Sequence, residues 1–220
     1  MNSKMLLLNK QKGGGIPSDY IAYYPFNGNA NDESGNGYNG TVFDATLTSD
    51  RHLESDKAYL FNGTSAFIST TYGYTHGTEA FSIVFWFKTS ATGLNTVCYI
   101  GSTLKSEGFV VDIRDTFLQI RGGATNTMNS AIGGLNDDLW HFGVIMFDAN
   151  SLFSDVIMYI DGVAIGTTGS GNNLINISDA FFQIGKDRRA NTYFFDGKLD
   201  DIIIYNRLLT EDEITDLYNY

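Results

Sequence analysis

One cysteine, two prolines and three histidines are all that the 220 residues hold of these types, and each scarcity excludes something. A lone Cys98 rules out an intrachain disulfide framework and any cysteine-built zinc site. It sits in the apolar run Val97-Cys98-Tyr99-Ile100 and is expected to be a small core residue. His52, His76 and His141 stand far apart, with no metal-pair spacing and no nucleophile motif beside them. Positive charge is short as well. Fourteen Lys and Arg against 25 Asp and Glu leave a net charge of −11, which argues against a nucleic-acid partner. No apolar run approaches the roughly 20 residues of a membrane helix, so membrane insertion is not expected. The apolar stretch at 5–8 is too short for a signal-peptide core, so export by the ordinary route is not expected.

What is abundant points to strands. Aromatics reach 14%, with sixteen Phe and thirteen Tyr, and 24 Gly supply turns, while hydrophobic residues at 43% are enough for a packed core. Short apolar runs recur at 21–26, 58–61, 66–69, 81–88, 96–100, 108–113, 116–121, 140–147, 156–160, 163–166, 181–184 and 199–205. Turn residues separate them, and Asp161-Gly162 carries the signature of a type I′ hairpin. Strands at this spacing without interleaved helices mean an all-β, two-sheet antiparallel sandwich or jelly roll. One short C-terminal capping helix is expected. Thr210-Glu211-Asp212-Glu213 is a capping box, and Ile214, Leu217 and Tyr218 share the face behind it. Residues 1–19 differ from the rest: Lys4, Lys10 and Lys12 precede Gly13-Gly14-Gly15 and a Pro17-Ser18-Asp19 turn. They read as an arm and hinge, followed by one domain over 20–220.

Several stretches form a known pattern in order: Ala58-Tyr59-Leu60-Phe61-Asn62-Gly63, Ala80-Phe81-Ser82-Ile83 up to Trp86-Phe87-Lys88, and Leu139-Trp140-His141-Phe142. Met158-Tyr159-Ile160-Asp161-Gly162 and Phe195-Asp196-Gly197-Lys198-Leu199-Asp200-Asp201 up to Tyr205-Asn206-Arg207-Leu208-Leu209 continue it. Together they resemble the laminin G-like, concanavalin A-like jelly-roll domains of bacteria and phages. The resemblance implies two curved sheets packed face to face, and a range of uses from glycan binding to adhesion and plain structure.

The resemblance also implies a structural calcium ion between the first and last strands. It would carry over to Asp32 and Asp200, with Asn27 and the Gly28 carbonyl as helpers. Strand parity places Asp200 with Ile202 and Ile204, where a carboxylate at an apolar layer needs a cation or hydrogen-bond donors. The alternative is that Asp32 is a turn residue and Asp200 caps an amide. Glycan contacts are expected from loop aromatics and polar groups: Tyr72, Tyr74 and His76; Asn126 and Asn129; Arg188, Arg189, Asn191 and Tyr193. Catalysis is not expected, because no strand carries the paired carboxylates of glycoside hydrolysis and the run Glu211-Asp212-Glu213 falls on the helix. The expected function is therefore a virion-type structural or adhesion protein. Residues 1–19 would anchor it to other virion or assembly proteins, with oligomers possible, and a lectin-like jelly roll would be displayed towards host or mucosal glycans. The alternative is a carbohydrate-binding module of a bacterial surface protein or glycanase, at the cell surface or outside the cell.

Overall fold

A computed structural model describes residues 15–102, 108–123, 125–177, 181–189 and 192–220. Its strands run, in chain order, β1 (Ala22–Tyr24), β2 (Gly40–Phe43), β3 (Thr46–Thr48), β4 (Ala58–Asn62), β5 (Phe67–Thr70) and β6 (Phe81–Lys88). Next come β7 (Leu94–Gly101), β8 (Gly108–Arg114), β9 (Phe117–Gly122), β10 (Asn126–Ser130), β11 (Trp140–Phe147) and β12 (Ile157–Ile160). The last are β13 (Val163–Ile165), β14 (Thr167–Ser170), β15 (Phe182–Ile184), β16 (Lys186–Asp187), β17 (Thr192–Phe194) and β18 (Asp196–Tyr205), before helix α1 (Glu211–Tyr218).

Sheet 1 has the order β13-β12-β11-β6-β18-β4-β3, with β1 also paired to β18. Sheet 2 has the order β14-β10-β9-β8-β7-β15-β5-β2, and β16 with β17 forms a separate hairpin. The chain changes sheets at both sides of the sandwich. It passes from β2 to β3 through Asp44-Ala45, and from β13 to β14 through Gly166. Each outermost strand thus continues into the other sheet, which limits the free edge. Asp161 and Gly162 both have positive φ, 50° and 77°, as the I′ turn between β12 and β13 requires.

The main core lies between the sheets. Ile83, Phe85, Phe87, Ile145, Phe147, Ile202 and Ile204 from sheet 1 meet Phe109, Val111, Ile113, Leu118, Ile120, Phe182 and Ile184 from sheet 2. Each such buried side chain contributes about 1.5–3 kcal/mol. Cys98 lies in this layer as expected. A second apolar layer covers the outer face of sheet 1. There Val84, Trp86, Phe142, Val144 and Tyr205 pack under Leu209, Ile214 and Leu217 of α1 and its approach. The helix is capped as the sequence requires: the Thr210 hydroxyl accepts from the Glu213 amide, and the Glu213 carboxylate accepts from the Thr210 amide. Tyr218 stacks on the Trp86 indole at 5.7 Å.

Residues 16–19, grouped with the arm by composition, lie against this outer layer. Ile16 packs on it, Tyr205 donates to the Pro17 carbonyl at 3.1 Å, and Arg207 joins Asp19 to Glu213. Residues 1–14 are outside the described residues.

Candidate ligand-binding face

Helix α1 packs on the outer face of sheet 1, and the β16–β17 hairpin packs on sheet 2 at β7. Strands β8, β9 and β10 alternate strictly. Val111, Ile113, Leu118, Ile120 and Met128 point to the core, and Asp112, Gln119, Arg121 and Asn129 point outward. Register aligns one polar row across five strands: Thr96 opposite Asp112, Asp112 opposite Gln119, Gln119 opposite Asn129, and Asn129 opposite Thr168.

Most of this row is tightly paired. Asp112 is wholly buried and accepts from the Thr96 hydroxyl at 2.6 Å and from Arg121 Nε at 2.6 Å. Burial pushes its carboxyl upward, against the pull of Arg121. Burial works against the charge on Arg121 too, and Asp112 with Asp187 outweighs it. Asp187, at the start of the hairpin, takes Arg121 at 3.2 Å and Arg189 at 3.3 Å. Arg189 lies over the Tyr99 ring, and Arg121 lies 5.5 Å from the Tyr193 ring. Two acids and two guanidinium groups therefore balance beneath the hairpin.

Gln119 is the exception. It is 2% exposed, its Nε2 donates to Asn129 Oδ1 at 2.6 Å, and its Oε1 has no hydrogen-bond partner among the described residues. Exchanging the oxygen and nitrogen of both amides would still leave one Gln119 polar atom unmatched. Gln119 lines a groove of about 290 Å³ with Phe117, Thr127, Asn129 and Thr168, and with Arg114 and Asp115 at 4.0 Å from each other. Phe117 is 40% exposed and offers an apolar wall. A second buried amide oxygen on this sheet, Gln183 Oε1 on β15, also lacks a partner but is not among the groove's lining residues.

The residues singled out from sequence distribute differently. Tyr72 and His76 do meet, but inside the core: the Tyr72 hydroxyl lies 2.6 Å from His76 Nε2, and both rings are buried. Their faces are covered by Phe182 and Phe81, so they offer nothing to a sugar. Tyr74 is half-buried against His76 and donates to Glu79. Arg188 sits 3.9 Å over Phe181, and Tyr193 is exposed on the hairpin; Asn191 is outside the described residues. Asn129 is on a strand, not in a loop. Gln119, Phe117 and Thr168 were missed, although the alternation Val111-Asp112-Ile113 and Leu118-Gln119-Ile120 marks the polar face.

The expected calcium ligands do not form one shell. Asp32 accepts from the Tyr23, Ser34 and Tyr38 amides and the Ser34 hydroxyl, so it organises its loop. Asp200 does not share a side with Ile202. A bulge between Asp200 and Ile203, with Asp201 at φ 41°, resets the parity and pairs Asp200 with Trp86 on the outer face. The cation it needs is Arg51, which reaches Asp200 at 2.7 Å and Asp201 at 2.8 Å while lying over the Trp86 ring. Burial, then Asp201, pushes the Asp200 carboxyl upward against that attraction. Asn27 and Asp200 line one cleft of about 220 Å³, without Asp32 or Gly28. Gly28 donates its amide to the Phe26 and Asp56 carbonyls. Among the described residues no group of three His, Cys, Asp or Glu side chains is placed to hold a metal ion. The donor set does not fit calcium.

A family model described as the concanavalin A-like lectin/glucanases superfamily matches residues 62–215. The chain belongs to this superfamily. No curated protein matches it. Among solved structures, domain 4 of AbnA, a GH43 extracellular arabinanase from Geobacillus stearothermophilus in complex with arabinotriose, is similar at 22% identity and TM-score 0.70, covering 91% of this chain and 98% of that one. The binding domain of Paraclostridial Mosquitocidal Protein 1 is similar at 18% identity and TM-score 0.68, covering 91% of this chain and 51% of that one. The receptor binding domain of botulinum neurotoxin D is similar at 15% identity and TM-score 0.69, covering 93% and 53%. The chain thus spans about half of each toxin domain. At these identities the likeness concerns the lectin-like jelly-roll fold of the superfamily, as the sequence resemblance implied.

Proposed function

We propose that this superfamily member is a non-catalytic, lectin-like domain that binds a glycan on the outer face of sheet 2. The observation that carries the reading is Gln119, a buried amide with one unmatched polar atom, lining a groove beside an exposed aromatic wall. Such a group costs about 1–3 kcal/mol when left unmet, and a ligand hydroxyl that reaches it as the groove's lining side chains shift would recover it. The apolar wall and convergent polar groups are what a sugar ring requires. The arabinotriose complex of the arabinanase domain supports the ligand class. Asp115 is the one carboxylate among the described lining residues, whereas glycoside hydrolysis uses two. That supports binding without cleavage.

Display outside a cell, on a virion or at a bacterial surface, fits an acidic domain of this kind. No described helix is long and apolar enough to cross a membrane. Anchoring to a larger assembly through residues 1–19 is the part of the reading that rests on the sequence. The test is a glycan array probed with the full chain and with Gln119→Leu. Binding by the first and a loss of about tenfold or more in the second is the expected outcome. Equal binding by both would remove the groove from the account.

A further inference from the structure

The groove on β9, β10 and β14 is selective in two respects beyond taking a sugar, and this step rests on the glycan reading above. We infer that it reads the terminal unit of a neutral glycan.

Neutrality follows from the charges and from the open hydrogen-bonding position. In the groove, Arg114 has Asp115 beside it at 4.0 Å. Behind it, Asp112 and Asp187 are matched by Arg121 and Arg189. Arg114 is the one cation among the described residues that line the groove, so no uncompensated positive charge lines it for a uronate, sialate or sulfate, and the chain as a whole carries −11. In either orientation of the two amides, the Gln119–Asn129 pair offers one free acceptor and one free amino group. Sugar hydroxyls both donate and accept and can meet the two together; a carboxylate or sulfate oxygen only accepts and would leave the pair's acceptor unmet. Phe117 stands ready for the apolar face of the ring.

The chain end follows from the walls. Towards β14, the last strand of sheet 2, the groove ends at Thr168 and leaves the sheet. In the other direction the β16–β17 hairpin packs on β7, and Tyr193 stands over Arg121, two residues along β9 from Gln119. A polymer running straight across the face would meet this hairpin. A terminal unit can seat against Gln119 with the rest of its chain leaving over β14.

The experiment titrates the full-length protein with short linear neutral oligosaccharides, with forms of the same sugars oxidised at C6 to uronic acids, and with the parent neutral polymers. The expected result is binding of a neutral series, at least about tenfold weaker binding of its uronic form, and affinity per chain end that does not change with length. Gln119→Leu, which removes the acceptor but keeps the bulk, and Phe117→Ala, at an exposed site, should each lower affinity about tenfold with the melting temperature retained. Equal or tighter binding of the uronic form overturns neutrality. Affinity per chain end that climbs with polymer length overturns end recognition. Binding of no sugar in any form overturns the glycan reading itself, and this inference with it.

Discussion

Replacing His76 with glutamine tests how the core treats a titratable ring. His76 is buried against Tyr74 and Phe81, with the Tyr72 hydroxyl 2.6 Å from Nε2 and the other ring nitrogen, Nδ1, unpartnered among the described residues. Burial holds the imidazole at about 4, well below its ordinary 6.5. The fold therefore favours the neutral ring. The sign follows: this stability is intact above the unfolded value, and it is lost as pH falls from there towards the folded one. At about 1.36 kcal/mol per unit, the gap corresponds to about 3 kcal/mol below both values, and to about 2.5 kcal/mol at about pH 4.5. Urea unfolding at about pH 7 and about pH 4.5 measures it in the wild type and in His76→Gln, which keeps an acceptor for Tyr72 and cannot titrate. Other groups titrating in this window are common to both proteins. The wild type should lose about 2.5 kcal/mol more than the variant on acidification. Equal losses would mean that the buried ring is not what acid attacks.

Three further outcomes follow from the same structure. Arg121→Ala strands the buried Asp112 without its cation and leaves Asp187 with Arg189 alone, and should cost about 3–5 kcal/mol in urea unfolding; a loss under about 1 kcal/mol would mean water reaches Asp112. Burial, then Asp112, pushes the Cys98 thiol upward, so a thiol reagent should fail with the native protein and react fully once denaturant unfolds it. Thr210→Ala removes the cap of α1 and should cost about 1 kcal/mol; because Tyr218 stacks on Trp86, tryptophan fluorescence should report the loosened helix, and an unchanged spectrum would show the helix held by packing alone.

The strands legible in the sequence are those with an apolar face to bury. The run 81–88 is apolar on both sides because the inter-sheet core takes one side and α1 the other, and its sequence is correspondingly continuous. The strands not legible are β2, β3, β10, β14, β16 and β17, which are short, polar or at sheet edges. Their inward positions are few or polar, as Asn126 and Ser130 are beside Met128 on β10, so they leave no apolar period-2 signal, and their existence depends on the neighbour that supplies the ladder. The candidate site suffers from the same gap. Gln119 lies in a strand that the sequence shows, but its alignment with Asn129 and Thr168 is a property of register across β10 and β14, which the sequence does not show. Tyr72 and His76 fail as surface candidates for the converse reason, since a loop rich in Gly and Thr can still tuck its aromatics inward.

The treatment of buried charge ties these observations together. A carboxylate placed as Asp200 is needs a cation or hydrogen-bond donors; the chain supplies Arg51, as it supplies Arg121 and Arg189 for Asp112 and Asp187. Each guanidinium also lies over an aromatic ring, Trp86, Tyr193 or Tyr99, which holds its plane towards the carboxylates. An unpaired buried ion would cost several kcal/mol, a large fraction of a domain's stability, so these charges are closed off within the fold. A neutral amide left open costs about 1–3 kcal/mol, which a domain can tolerate until a ligand arrives. Gln119 is therefore the kind of group on which a binding site can be built without unfolding the protein that carries it. The paired acids around it hold the sheet and the hairpin in position and are not free to bind in its place.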